Sequence, residues 1–299
     1  MNRRDEETTS LPSLGDNTCI FYHNSIHQWH ILNTGINQIN QASVAYSIVA
    51  CICLKQTGAA TMHDTRAKSA YMKAERASAE LRRGGHVMLR LNNGEAALFR
   101  GAEFADGEDI NFLSRLAGSG PLLVLTANRV KSLQRSLRQG WPAATIALAT
   151  RHYEQIFDLA FGQTRLGDDD GFSLVAERSG SLADHATRLL RNAKLLPAAL
   201  MARLPFRDIA AQDRFAQEHN ILVLEARDLD SYHHQAGAMM RIAARARVPL
   251  AVAEDAEVVM FRAEIGGEDH FAVLIGKGAD LDAPLVRLHS QCITGDVLG

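Results

Sequence analysis

Apolar and polar positions alternate between helical and strand spacing from about residue 69 to residue 233. Residues 74–81 are rich in Ala and Glu, and Gly84-Gly85 supplies the stop for the helix they predict. Residues 86–89 then read as a buried strand. In 106–116, Asp106 stands at an N-cap ahead of an apolar stripe of Ile110, Phe112, Leu113 and Leu116, which predicts a helix. Residues 121–125 and 145–149 read as further strands, the second weaker. Residues 182–195 and 208–219 read as helices, 198–204 as a strand or short helix, and 221–224 as a strand. Strands separated by helices of this length indicate an α/β domain.

The flanks differ. Residues 1–61 are rich in Asn, Gln, Ser, Thr and His and show no sustained period. They read as an extension of unknown role, either a lineage-specific tail or translated upstream sequence that is disordered or wrongly assigned to the start. The second flank opens with a charged connector, read as helical over about 226–246. Strands at 258–263 and 270–275 follow, joined by a Gly-containing loop that predicts a hairpin, and a last strand lies at 285–289. The chain ends on a Gly-Asp turn soon after that strand, as a truncated domain would. Three parts are therefore expected: 1–61, 62–233 and 234–299.

Composition excludes several classes. A hydrophobic fraction of 46% and a charged fraction of 22% suit a soluble globular protein. A formal net charge of −2 gives no electrostatic reason for a nucleic-acid or membrane partner. Cys19, Cys51, Cys53 and Cys292 are too few and too unevenly placed for a disulfide framework, so a cytoplasmic location is expected. No apolar stretch follows the basic residues of the amino terminus, and the apolar run 44–54 is about half a bilayer span.

The densest candidate chemistry lies in 284–299, which reads PLVRLHSQCITGDVLG. This run resembles the opening signature of GTP cyclohydrolase II, in which R-[VL]-H-S-E-C-L-T-G-D follows a strand, and the 258–275 hairpin resembles that family's first hairpin. The resemblance implies zinc-dependent opening of the GTP imidazole ring, with release of formate and pyrophosphate. It implies Cys292 as the first zinc thiolate, Arg287 as a phosphate contact, and Leu288, His289, Ser290 and Gln291 as parts of the same nucleotide-contacting run. Gln291 departs from the family's Glu, so an acceptor-only carboxylate becomes an amide that also donates. The family's other two zinc cysteines would lie beyond Gly299, so this chain alone is expected to be inactive.

Residues 81–85 (LRRGG), 102–113 (AEFADGEDINFL), 188–204 and 215–224 resemble, more diffusely, 3,4-dihydroxy-2-butanone 4-phosphate synthase. That family carries a dense acidic loop that binds Mg²⁺ and abstracts protons from ribulose 5-phosphate. Here the loop reads LNNGEAA over 91–97, and Glu95 alone survives. The family's G-H-T-E-A is replaced by SLADH over 181–185, and Asp184 and His185 read as an exposed pair in a helix first turn rather than shifted remnants of the site. Arg178 and Gly180 remain of the phosphate loop. A magnesium-binding carboxylate set is thus expected to be lost while the apolar core is kept.

Three other constellations carry less. His233-His234 with Asp228, Asp230 and Tyr232 reads as a solvated connector, because adjacent helical residues point about 100° apart. The run Asp168-Asp169-Asp170 reads as an exposed turn. Cys19, His23, His27 and His30 have helical spacing suited to a transition metal, but lie in a segment read as unfolded. The expected architecture is α/β (α+β): a synthase-like mixed-sheet domain followed by an incomplete, β-rich start of a GTP cyclohydrolase II domain. The resemblance further implies GTP as ligand and a homodimer. Two other functions stay open: a non-catalytic structural or regulatory dimerisation protein, and a synthase with a rebuilt site.

Overall fold

The computed structural model describes residues 18–23, 65–118, 120–137, 139–148, 155–163, 165–166, 171–235, 240–251, 253–263, 269–276 and 285–290. The elements in chain order are β1 (Thr18–His23), α1 (Thr65–Arg82), β2 (Val87–Arg90), β3 (Ala96–Gly101), a 3-10 turn (Ala102–Phe104) and α2 (Gly107–Ala117). Next come β4 (Leu122–Thr126), α3 (Ala127–Ser132), β5 (Ala143–Ala147), α4 (Ile156–Phe161), β6 (Leu174–Glu177) and α5 (Leu182–Asn192). Then follow β7 (Ala199–Arg203), α6 (Ile209–Glu218), β8 (Leu222–Glu225) and α7 (Ala226–Gln235). The last strands are β9 (Met240–Arg247), β10 (Glu257–Ala263), β11 (His270–Leu274) and β12 (Leu285–Ser290). They fall into two compact units, residues 64–233 and residues 1–63 with 234–299.

In the 64–233 unit a mixed seven-stranded sheet runs β6-β5-β4-β7-β3-β2-β8, with β2 and β8 parallel and the other pairs antiparallel. Both faces are covered. On one, Leu89, Phe99 and Met201 pack with Leu81 of α1, Leu189 of α5 and Leu229 of α7. On the other, Leu98, Leu123 and Leu200 pack with Ile110 and Leu113 of α2 and Leu159 of α4. Burial on both faces explains why these strands read as apolar runs rather than alternating ones: all four residues of β2 are buried.

Two elements differ from the sequence reading. The segment 91–97 is not all loop; it turns at Gly94, whose φ of +81° favours glycine, and β3 starts at Ala96. The charged stretch 226–246 is not one helical connector, since β9 takes its second half. Arginines at 241, 245 and 247 mask β propensity there, and pairing with β10 decides the conformation.

α2 starts as expected, and more firmly than its N-cap alone required. Asp106 accepts hydrogen bonds from the Glu108 and Asp109 amides, each at 2.9 Å, and Asp109 accepts from the Asp106 amide at 2.9 Å. Arg100 of β3 donates to the Asp109 carboxylate. His86 lies beside this pair, its Nε2 3.5 Å from Asp109 Oδ1 and its ring 5.2 Å from Phe112. Burial, and then the Arg100 charge, hold the His86 imidazole below its ordinary range against the opposing pull of Asp109 and Asp106. The neutral ring is favoured in the folded state. Its contribution to stability is therefore full above the unfolded value of about 6.5 and is lost as pH falls from there towards the depressed folded value. Denaturant unfolding between pH 7 and pH 5 should show a shallower loss of stability in His86→Gln than in the parent; equal slopes would contradict this role for His86.

The second unit holds a five-stranded sheet, β12-β1-β11-β10-β9. β9, β10, β11 and β1 pair antiparallel in turn, and β12 pairs parallel with β1. Ala256, Val273 and Ile275 form a small core with Leu250 and Val258 packed against it. The hairpin expected from the 258–275 pattern is formed by β10 and β11. The strand at Thr18–His23 had no counterpart in the sequence reading.

Candidate functional site

The candidate nucleotide run enters the structure as β12. Arg287, Leu288, His289 and Ser290 lie on this strand, in parallel register with Ile20, Phe21, Tyr22 and His23 of β1. Gln291 and Cys292 lie outside the described residues.

Glu95, Asp184 and His185, the residues that the sequence sets against the synthase family's site, all make structural contacts. Glu95 follows the Gly94 turn, and its carboxylate accepts from Arg207 at 3.0 Å. Both side chains are substantially exposed, so this pair contributes little stability. Asp184 and His185 are not the exposed pair that the sequence suggested: they are 5% and 3% exposed. Asp184 accepts from the Gly180 amide at 2.9 Å, while Ser181 caps α5 by accepting from the Asp184 amide at 3.3 Å. The His185 ring places Nδ1 2.9 Å from the Ser181 carbonyl oxygen and Nε2 3.3 Å from Asp230 Oδ1. Arg188 donates to the same Asp230 oxygen at 2.8 Å. Asp184 thus fastens the start of α5, and His185 ties α5 to α7.

Other polar groups nearby are likewise engaged. Arg203, at the end of β7, donates to Glu177 at 2.6 Å, and Thr145 lies 3.4 Å from the same carboxylate oxygen. The Arg178 guanidinium stands over the Trp141 ring, 5.7 Å from its centroid. Among the described residues no three His, Cys, Asp or Glu side chains are grouped to hold a metal ion. Mg²⁺ takes near-octahedral oxygen ligands, and here Glu95 faces a guanidinium while Asp184 is turned onto a backbone amide. These residues do not fit that ion.

α7 is a packed element rather than a solvated connector. Ala226 and Leu229 are buried, and the Tyr232 hydroxyl donates to Glu75 of α1 at 2.6 Å while its ring stacks on Tyr71 with centroids 4.6 Å apart. Burial, reinforced by the neighbouring Tyr71 and Glu75, pushes the Tyr232 phenol far above its usual range. Asp228 pairs with Lys73 of α1 at 3.0 Å. The signal was present in the spacing of Ala226, Leu229 and Tyr232, which is an i, i+3, i+6 stripe. The adjacent charges and the His pair obscured it. The side chains of His233 and His234, the run 168–170, His27 and His30 lie outside the described residues, as does the side chain of His23.

Residues 240–299 match the family model described as GTP cyclohydrolase II. Over 236 residues the chain is 32% identical to a GTP cyclohydrolase-2 of Azospirillum brasilense, covering 77% of this chain and 60% of that protein. A riboflavin biosynthesis protein RibBA of Salinispora tropica is 32% identical over 130 residues, 42% of this chain and 32% of that one. The chain is thus similar both to a GTP cyclohydrolase-2 and to a riboflavin biosynthesis protein. A GTP cyclohydrolase-2 of Xylella fastidiosa (strain Temecula1) is 30% identical over 233 residues, 77% of this chain and 55% of that protein. The chain thus spans between 55% and 60% of the length of these two GTP cyclohydrolase-2 relatives. Among solved structures, RibBX, a two-domain 3,4-dihydroxy-2-butanone 4-phosphate synthase from A. baumannii, superposes with a TM-score of 0.45 at 18% identity, covering 67% of this chain and 69% of that one. The resemblance read from 284–299 and the family match to 240–299 fall on the same segment of the chain.

Proposed function

We propose that the chain serves riboflavin biosynthesis as part of a GTP cyclohydrolase II, which opens the imidazole ring of GTP and releases formate and pyrophosphate. The observation that carries this reading is the contiguous run Arg287–Asp296 inside the matched segment 240–299. The Arg287 guanidinium suits the triphosphate, since its fork matches phosphate geometry. His289, Ser290 and Gln291 offer the donors and acceptors that a nucleotide needs beside it, and Leu288 belongs to the same strand.

Cys292 is the zinc ligand of this segment, a thiolate of the kind Zn²⁺ favours. Zinc, when bound, supplies an activated water for attack on the ring. Catalytic zinc takes three protein ligands, so Cys292 alone does not hold it and two further side chains would complete the site. The synthase-like unit is retained for folding and homodimer contacts, and a cytoplasmic location accords with the cysteine usage. Among the described residues no helix is long and apolar enough to cross a membrane.

Formate release and zinc content, measured on the complete gene product, test this reading. Zinc-dependent formate production from GTP is the expected result; a product that neither retains zinc nor consumes GTP overturns it. The synthase-like unit makes a separate prediction. With ribulose 5-phosphate and Mg²⁺ it should form no dihydroxybutanone phosphate, and Glu95→Ala should change nothing. Turnover that disappears with Glu95→Ala would mean that the site had been rebuilt rather than lost.

A further inference from the structure

The order β12-β1-β11-β10-β9 makes one strand indispensable to the second unit. β12 has no strand partner other than β1 among the described residues, and β11 meets β1 on the edge opposite β10. Remove β1 from this order and the strand bearing Arg287–Ser290 has no ladder to the hairpin. We propose that Thr18–His23 is an integral strand of the carboxy-terminal unit, and that it positions the Arg287–Ser290 run by bridging it to β11.

Three observations support the assignment. The segment reads TCIFYH, six residues of mostly aromatic, β-branched and sulfur-bearing side chains with high strand propensity. It pairs over its whole length with β12, from Thr18↔Leu285 to His23↔Ser290, and over four residues with β11, from Cys19↔Leu274 to Tyr22↔Phe271. The two ladders also have opposite senses, parallel to β12 and antiparallel to β11. A strand paired on both edges satisfies its amides and carbonyls within the sheet, which an edge strand does not. The sequence around it is polar and aperiodic, which is why a six-residue strand passed as part of an unstructured extension. That the run it supports contacts GTP rests on the function proposed above; the strand pairing does not.

Amide hydrogen exchange on the full chain tests the assignment. Consecutive residues of a strand direct their amides to opposite neighbours, so Ile20→Pro and Phe21→Pro together remove one donor from each ladder of β1. At least one of the two variants should speed exchange in 285–290 by about tenfold or more, because the β1–β12 ladder is weakened. The β7 amides in the other unit should keep their protection, and Ile20→Val, which keeps the donor, should behave as the parent. Unchanged exchange in 285–290 in both proline variants overturns the proposal. In the complete protein the proline variants should raise KM for GTP more than they lower kcat. If exchange changes as expected but GTP is not consumed by the parent, the strand stands and the GTP reading falls.

Discussion

If Cys292 holds zinc as proposed, Cys292→Ser in the complete protein should lose zinc and lower formate production from GTP by about a thousandfold or more, because the metal would supply the activated water. Zn²⁺ readily displaces the proton of a cysteine thiol and binds the thiolate, whereas a serine hydroxyl does not ionise under the same conditions. The substitution changes one atom and little volume, so the loss should come without unfolding. Zinc per protomer, measured alongside circular dichroism, separates these outcomes. A serine variant that is folded, holds its full zinc complement and still produces formate would remove Cys292 from the metal site. Arg287→Lys should behave differently: charge is kept and the bidentate fork is lost, so KM for GTP should rise more than kcat falls. Zinc content should be unaffected. A fall in zinc with Arg287→Lys would mean that the strand, rather than the phosphate contact, had been disturbed.

The sequence was most legible where local and tertiary preferences agree. Asp106 with its apolar stripe specified α2, and the buried runs around Leu89 and Leu123 marked strands, while 198–204, which forms β7, was left open between strand and short helix. It was least legible where pairing overrides composition. β9 carries three arginines, and β1 lies in a polar, aperiodic flank. Both become strands through partners far away in the chain, β10 for one and β11 with β12 for the other. At the candidate sites the contiguous run 284–299 was readable because chemistry there is dense in sequence. Asp184 and His185 were misread as exposed: Asp184 turns onto the local Gly180 amide, and the His185 partner Asp230 is selected by the approach of α5 and α7. Helical position alone could not show that approach. A carboxylate in a helix first turn suits the macrodipole whether it is exposed or buried.

Replacing Gln212 with leucine should destabilise the 64–233 unit by about 2–3 kcal/mol, since two backbone acceptors lose their donor. Gln212 is fully buried at the start of α6. Its amide nitrogen donates to the Gly94 carbonyl at 2.9 Å and to the Phe206 carbonyl at 3.0 Å, joining the β2–β3 turn to the segment before α6. Leucine fits the volume but satisfies neither oxygen. The turn has little room to adjust: a Cβ on Gly94 would stand 2.8 Å from the Arg207 carbonyl oxygen, so these two backbones are in close contact. Arg90 complicates the interpretation, because its guanidinium lies 3.5 Å from the Gln212 oxygen while pairing with Glu225 at 2.8 Å and Asp213 at 3.0 Å. If Gln212 acted mainly by orienting Arg90, then Gln212→Leu and Arg90→Met would be strongly non-additive. The long contact between them and the two short bonds to carbonyls favour the other account. The double variant should therefore equal the sum of the singles to within about 0.5 kcal/mol. Urea unfolding of the two singles and the double decides it. A cost below about 0.5 kcal/mol for Gln212→Leu would show that the turn finds other donors, because an unreplaced hydrogen bond at a buried site costs more than that. A coupling above about 1 kcal/mol would shift the role of Gln212 from the turn to the Arg90 ion pairs.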